Sequence, residues 1–161
     1  MNAPMIATSD ALRFERLLPG PPMRIWEYLT RPSLLATWLG EGEIELHVGG
    51  YVELKFSHRE FRDAPAPASS ISGVVTHCDP PESLAYYWTD YESISNVMFE
   101  IEPRGGEVLL LLTHARLPKP YVSVAREFWK TRLGYLEEQI RGSQSGIFVA
   151  FGERARASCE R

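Results

Sequence analysis

His114 is the polar residue of this chain whose position in the sequence is best suited to chemistry. It alternates with Leu110 and Leu112 along a predicted strand, so the three side chains should point to the same face. Because imidazole has an ordinary pKa of about 6.5, an inward histidine could orient a polar ligand or transfer a proton near neutral pH. The alternative is a core histidine hydrogen-bonded to a backbone group. The sequence leaves both interpretations open.

Six aromatic side chains are predicted to share the interior with His114, from the strand alternation or the helical phase of their segments. Apolar pockets with a few polar groups are typical of small-molecule sites, but aromatic clusters are also typical of an ordinary core. Tyr86 and Trp88 are the stronger ligand candidates because their O–H and N–H groups need partners when buried. The six residues are Trp38, Phe56, Tyr86, Trp88, Phe99 and Trp129.

Arg132 flanks the apolar stripe of the last predicted helix. Its guanidinium could hold a carboxylate ligand through two parallel hydrogen bonds. Alternatively, its stem lies along apolar surface while the charge reaches solvent. With His114 and the six aromatic residues, Arg132 completes a set of eight candidate ligand-binding residues.

The carboxylates and the thiol do not predict catalysis. The pairs Glu43/Glu45 and Glu100/Glu102 have strand spacing and alternate with apolar residues, so both pairs should face solvent. Cys78 has no nearby helix N-terminus or cation in the sequence that would activate its thiol. No glycine-rich phosphate loop or Gly-x-Ser-x-Gly motif is present. We therefore predict no catalytic residue.

The four histidines do not predict a metal site. They occur at separate points of the strand-rich region, without His-x-His spacing, whereas structural zinc needs four convergent nitrogen or sulfur ligands. No metal or other cofactor is therefore predicted. The histidines are His47, His58, His77 and His114.

Composition and charge exclude several classes of protein. The chain has 161 residues, enough for one domain, with 44% hydrophobic and 24% charged residues, as in globular proteins. The net charge of −4 argues against nucleic-acid binding and gives no reason to expect an anionic membrane as partner.

The cysteines and the N-terminus favour a reducing, cytoplasmic location. Cys78 and Cys159 are far apart and form no disulfide framework. Residues 1–10 contain no basic segment followed by an apolar one, so no signal peptide is predicted. Since a membrane-spanning helix needs about 20 apolar residues and the aliphatic runs are far shorter, no membrane insertion is expected.

Hydrophobic periodicity predicts one strand, two short helices, about six further strands and one long helix. The first strand covers about 11–18, and the short helices end at Thr30 and near Trp38. Residues 62–70 are predicted to form a loop because they are rich in alanine and proline. The later strands are predicted at about 43–47, 51–56, 71–78, 83–89, 95–102 and 106–115.

The clearest helix is predicted over about 122–141, where apolar residues recur every three or four positions, and Gly142 is expected to end it. Consecutive strands with short connections pair as an antiparallel meander, and this helix is the long element able to cover the apolar face. The predicted fold is therefore α+β and helix-grip, with a curved antiparallel sheet around a C-terminal helix. A pocket between sheet and helix follows from this arrangement.

Several short motifs, in this order, resemble a known family. They are Pro22–Thr30, Leu34–Trp38, Gly49-Gly50, Gly73, Asp79-Pro80-Pro81, Leu84–Trp88, Val97–Pro103, Gly105-Gly106 and Leu112–His114. Together they span about 11–142 and resemble proteins similar to the activator of the 90-kDa heat-shock chaperone ATPase, in the START-like (SRPBCC) superfamily. The resemblance implies the helix-grip fold. It does not fix a function, because the superfamily includes lipid carriers, polyketide cyclases and hormone receptors.

The resemblance also suggests the domain organisation, a single START-like domain over 1–142 followed by a tail over 143–161. Arg31 stands before Pro32, where relatives often have an aspartate that would cap the short helix. The tail contains an apolar run, 147–151, that could cover the pocket or contact a second subunit, so a homodimer is compatible with the sequence. Deleting 143–161 should then change oligomeric state or solubility.

Three functions are compatible with these patterns. The first is a carrier or sensor that binds a small hydrophobic molecule. The second is a cyclase or hydrolase type of enzyme that uses His114 with a tyrosine or arginine of the same pocket. The third is a protein-interaction module such as a chaperone co-factor, although within these 161 residues we expect no room for the separate docking domain of the eukaryotic relative.

Overall fold

The computed structural model describes residues 10–56, 70–90 and 93–160, which form an antiparallel sheet, two short helices and one long helix. In chain order the elements are β1 (Asp10–Pro19), α1 (Pro22–Thr30), α2 (Pro32–Leu35), β2 (Glu41–Ile44), β3 (Tyr51–Lys55), β4 (Ser70–Asp79), β5 (Ser83–Thr89), β6 (Ile94–Arg104), β7 (Glu107–Leu117), a 3-10 turn (Lys119–Tyr121) and α3 (Val122–Glu160).

The sheet has seven strands in the order β1-β7-β6-β5-β4-β3-β2, and all neighbours are antiparallel. Strands β2 to β7 form a meander, as their short connections predict. The chain then places β1 beside β7, where Phe14 lies opposite Leu112. The predicted α+β helix-grip architecture is confirmed.

Alternation along the strands determines which side chains enter the core. On β6 the buried positions are Ser95 and every second residue up to Ile101, while the residues between them are only partly buried. Helix α3 contributes a buried stripe that includes Trp129, Leu133 and Ile140, each at most 1% exposed. Packing α3 on the inner face of the sheet gives the layered core that the periodicity predicts.

Two helices differ from their predicted lengths. Helix α2 ends at Leu35 rather than near Trp38, and its N-cap residue Arg31 makes no side-chain capping hydrogen bond. Helix α3 continues through Gly142 to Glu160, so the expected end at Gly142 is wrong. A glycine ends a helix when it turns left-handed, whereas in the right-handed conformation it costs only about 1 kcal/mol.

Two predictions fall outside the described part of the structure. The loop predicted at 62–70 is described only at Ser70, which begins β4. The side chains of 143–161, including the apolar run 147–151, also lie outside it. The role predicted for the tail therefore stays a prediction.

Candidate ligand-binding site

The eight predicted ligand-binding residues are all buried in the core between the sheet and the helices. Alternation places the β5, β6 and β7 members on the inner face, and the apolar stripe of α3 brings the helical members to the same interior. The structure therefore brings the set together, while its part in binding stays a prediction. The exposed fractions are Trp38 1%, Phe56 9%, Tyr86 1%, Trp88 7%, Phe99 1%, His114 2%, Trp129 0% and Arg132 6%.

Trp88 occupies the centre of this cluster. Its ring centroid lies 5.5 Å from Phe56, 6.5 Å from Tyr86, 5.5 Å from His114 and 5.2 Å from Trp129. These distances are typical of stacked and edge-to-face aromatic contacts. The aromatic rings therefore form one continuous cluster, in contact with the imidazole ring of His114.

Both ring nitrogens of His114 are hydrogen-bonded to side chains. The indole N–H of Trp129 donates to His114 Nδ1 at 2.9 Å, and His114 Nε2 lies 2.7 Å from Ser95 Oγ. Because an indole only donates, Nδ1 must be the acceptor and the proton of the neutral ring is on Nε2. Ser95 then accepts from Nε2 and donates to the carbonyl of Trp88 at 3.3 Å. A complete chain of hydrogen bonds thus joins α3, β7, β6 and β5.

The surroundings of His114 hold its imidazole in the neutral form. Burial lowers the pKa of His114 from 6.5 to about 3. To accept a proton at Nδ1, the ring would have to lose its bond from Trp129. The geometry is therefore that of a buried structural histidine, although its partners are side chains rather than the backbone group considered in the sequence.

Tyr86 presents the opposite situation within the same cluster. Its hydroxyl is buried and has no hydrogen-bond partner among the described residues. Burial raises the pKa of the Tyr86 phenol well above 10, so the hydroxyl keeps its proton and is available as a donor. A buried hydroxyl without a partner costs about 1–3 kcal/mol. Tyr86 is therefore the polar group of the cluster that most needs an acceptor from outside the described residues.

Arg132 is a buried cation surrounded by aromatic rings. Its guanidinium carbon lies 4.9 Å from the ring centroid of Phe128 and 5.9 Å from those of Phe56 and Tyr135. The alternative in which Arg132 extends its charge into solvent is wrong, since the side chain packs on rings that hold it by cation–π attraction. The site thus combines a positive charge with a mainly apolar lining.

Two residues of the cluster, Ser95 and Phe128, were not predicted from the sequence. Ser95 is 1% exposed and bonds to His114, and Phe128 is 2% exposed and lies 5.2 Å from both Phe56 and Trp129. Ser95 could have been found from the alternation of β6, which places it on the face of Val97 and Phe99. Phe128 could have been found from its position four residues before Arg132 on the same helix face.

The other reactive residues lie away from this cluster. Glu43, Glu45 and Glu102 are exposed, and burial is the main cause that raises the pKa of the Cys78 thiol. Among the described residues, no three His, Cys, Asp or Glu side chains are placed to hold a metal ion. No helix in the described part of the chain is both long and apolar enough to cross a membrane.

Known structures share this architecture. CalU16 from Micromonospora echinospora is 26% identical, with a TM-score of 0.67 over 83% of this chain and 76% of that chain. A Bordetella parapertussis protein solved by NMR is 34% identical, with a TM-score of 0.66 over 82% of this chain and 75% of that chain. A Mesorhizobium loti protein, 20% identical over 80% of this chain and 95% of its own, has a TM-score of 0.66 and shows the fold alone.

The family comparison agrees with the fold and with the motifs. No curated protein sequence matches the chain. The family model described as "Activator of Hsp90 ATPase homolog 1-like protein" matches residues 19–140, from the end of β1 to the buried stripe of α3. The match covers most of the chain and includes all eight candidate residues, and we conclude that the chain belongs to the family of Activator of Hsp90 ATPase homolog 1-like proteins.

Proposed function

We propose that this chain binds a small hydrophobic molecule with a polar group, between the sheet and α3, as a carrier or sensor. The observation that carries the proposal is the buried Tyr86 hydroxyl, which has no partner among the described residues. Folded proteins rarely leave such a group unsatisfied, and an explanation is needed where they do. A bound ligand with an atom that accepts a hydrogen bond from Tyr86 would be such an explanation.

The aromatic lining explains the preference for a hydrophobic body. The rings of Trp88, Phe56 and Phe128 contact one another, with ring separations between 5.2 and 5.9 Å. Small-molecule sites are mostly apolar, with a few polar groups that orient the ligand. Here the apolar surface would provide affinity, and Tyr86 would orient the ligand.

Arg132 favours an acidic or strongly polar group at one end of that ligand. Its charge lies among Phe56, Phe128 and Tyr135, where water screens electrostatic attraction less than at the surface. A guanidinium can also bind a carboxylate through two parallel hydrogen bonds. A lipid-like or aromatic acid fits these features better than a neutral hydrocarbon.

The two alternatives draw less support from the described residues. An enzyme that uses His114 as an acid or base would need a ring nitrogen that is free to exchange a proton, whereas Trp129 and Ser95 occupy both. A chaperone co-factor role draws on the description of the family and on no contact of the described residues.

Native mass spectrometry of freshly purified protein tests the proposal. We expect the native mass to exceed the denatured mass by that of a dissociable small molecule. Extraction with organic solvent should remove the added mass and lower the melting temperature, because a bound ligand stabilises the native state. A bare native mass, together with a melting temperature unchanged by the organic-soluble extract of the cells, would contradict the proposal.

A further inference from the structure

A groove of about 540 Å³ lies on the outer face of the sheet, away from the aromatic interior. Tyr87 lines this groove and is 37% exposed, whereas its neighbour Trp88 points inward and is 7% exposed. None of the eight interior candidates lines the groove. Its volume is within the range of about 300–1,000 Å³ that small-molecule sites occupy. The lining residues are Gly73, Val74, Tyr87, Thr89, Ile94, Asn96 and Arg116.

A β-bulge places Arg116 at this groove. Leu12 lies opposite His114 and Asp10 opposite Leu117, so one β1 residue faces both Ala115 and Arg116. Arg116 has a left-handed backbone with φ of +64°, which costs a non-glycine residue about 1–3 kcal/mol. Bulges commonly redirect a side chain next to a functional site. Glycine would be less strained at this position. The presence of an arginine therefore indicates that its guanidinium has a function.

The Arg116 guanidinium is available to an anion. Arg116 is exposed and makes no hydrogen bond or ion pair with any residue in the described ranges. Among the lining residues that the structure describes, no aspartate or glutamate competes for it. Arg116 is the charged residue among the described residues that line the groove.

Asn96 supplies a second unsatisfied group in the same groove. Its Oδ1 is buried and lacks a hydrogen-bond partner within the described part of the chain. The sheet register places Asn96 between Tyr87 on β5 and Ala115 on β7, next to Arg116. The terminal torsion of an asparagine side chain is soft, so a small rotation would turn this acceptor towards a donor in the groove.

The groove also offers exposed apolar side chains. Val74 is 43% exposed and Ile94 is 62% exposed, beside the ring of Tyr87. At Gly73, an added Cβ would lie 1.8 Å from the carbonyl oxygen of Tyr87. Only glycine therefore lets β4 and β5 approach this closely, and it leaves the floor of the groove without a side chain.

We infer that this outer groove is a second binding site, specific for a small planar organic carboxylate. The carboxylate pairs with the Arg116 guanidinium, and the planar body lies against Tyr87 and Ile94. A hydroxyl or N–H group on the ligand donates to Asn96 Oδ1. The inference does not depend on the interior site, since the two share no residue.

The test uses 6-hydroxy-2-naphthoate as the probe, which carries both a carboxylate and a hydroxyl donor. It is titrated into 15N-labelled protein and followed by amide NMR shifts. We expect saturable shifts at Tyr87, Asn96 and the residues flanking Arg116. The Kd of the groove is taken from these residues, because the proposed interior site also fits an aromatic acid. Arg116→Gly should weaken the Kd about tenfold or more, because it removes a charge-assisted hydrogen-bonding group. The same change should preserve or raise stability, because glycine adopts φ of +64° freely.

Two controls separate a site from a general charge effect. Arg104→Gln removes one positive charge at the β6–β7 hairpin, where Arg104 pairs with Glu102 at 3.0 Å, and should leave the Kd unchanged. The neutral analogue 6-hydroxy-2-naphthamide should bind the groove of the wild type about tenfold or more weakly than 6-hydroxy-2-naphthoate. An equal Kd for Arg116→Gly, saturable shifts at Tyr86 and Trp129 with none at Tyr87 and Asn96, or no saturable shift would each overturn the inference.

Discussion

His114 and Tyr86 occupy the same buried interior but differ in how their polar atoms are satisfied. His114 has a hydrogen-bond partner at each nitrogen, Trp129 on α3 and Ser95 on β6. Tyr86 has no partner for its hydroxyl among the described residues, although Trp88 and Phe99 pack around its ring. In its sequence context His114 looked the more reactive of the two, but Tyr86 has the free hydrogen-bonding capacity.

This difference separates a structural polar group from a ligand-binding one. A fully satisfied network fixes the position of the elements that it joins, here the sheet and α3. An unsatisfied buried group destabilises the empty protein and gains a bond when a ligand arrives. His114 therefore stabilises the fold, whereas Tyr86 is the group that we propose recognises a ligand.

Replacing His114 should have the largest effect on stability. His114→Ala leaves a cavity and removes the partner of Trp129 Nε1 and of Ser95 Oγ, so we expect a loss of about 3 kcal/mol or more in the free energy of unfolding. Urea unfolding should show a lower midpoint with an unchanged m-value. His114→Phe keeps most of the volume and should lose less. A loss below about 1 kcal/mol in His114→Ala would contradict a structural role.

Between about pH 7.5 and 5, the pH dependence of stability should be the next largest effect. The unfolded chain protonates His114 near pH 6.5, whereas the native pKa is about 3, so below pH 6.5 the unfolded state binds the extra proton. This group therefore has no effect on stability above pH 6.5 and destabilises the native state as the pH falls towards 3, by up to about 1.4 kcal/mol per pH unit.

His114→Phe lacks this titration and serves as the reference for it. Urea unfolding of both proteins between about pH 7.5 and 5 should show the wild type losing more stability than the variant as the pH falls. Parallel curves would mean that His114 is not held neutral in the native state.

Tyr86→Phe should have the smallest effect and the opposite sign. Removing an unsatisfied buried hydroxyl should raise the free energy of unfolding of the ligand-free protein by about 1 kcal/mol. Tyr51→Phe is the matched control, because the exposed Tyr51 hydroxyl donates to Glu43 at 2.7 Å and its removal should lower stability slightly or not at all. A clear loss of stability in Tyr86→Phe would show that the hydroxyl has a partner within the protein.

The sequence predicts the fold and which side chains are buried, because both depend on hydrophobic periodicity. The alternation of β5 and β7 places Tyr86, Trp88 and His114 inward, and the structure agrees. The helical phase of α3 likewise places Trp129 in the core. These positions follow from the geometry of a single strand or helix, without knowledge of its neighbours.

The hydrogen bonds and the backbone strain could not be predicted, because they depend on register between strands. Ser95 reaches His114 only because β6 and β7 place Val97 opposite His114, and the bulge at Arg116 arises only where β1 pairs with β7. Nothing in the sequence marks an arginine for a left-handed backbone, since that conformation is typical of glycine and asparagine. The predicted end of α3 at Gly142 was wrong because a glycine is compatible with either a helix interior or a helix end.

Native mass spectrometry of wild type, Tyr86→Phe and Tyr51→Phe tests whether Tyr86 recognises a ligand between the sheet and α3. Purified identically, the wild type and Tyr51→Phe should retain the same added small-molecule mass in the same fraction of molecules. Tyr86→Phe should retain it in a clearly smaller fraction, although its ligand-free form is the more stable one. Equal occupancy in all three proteins would contradict the claim, and the buried hydroxyl would then have no part in binding.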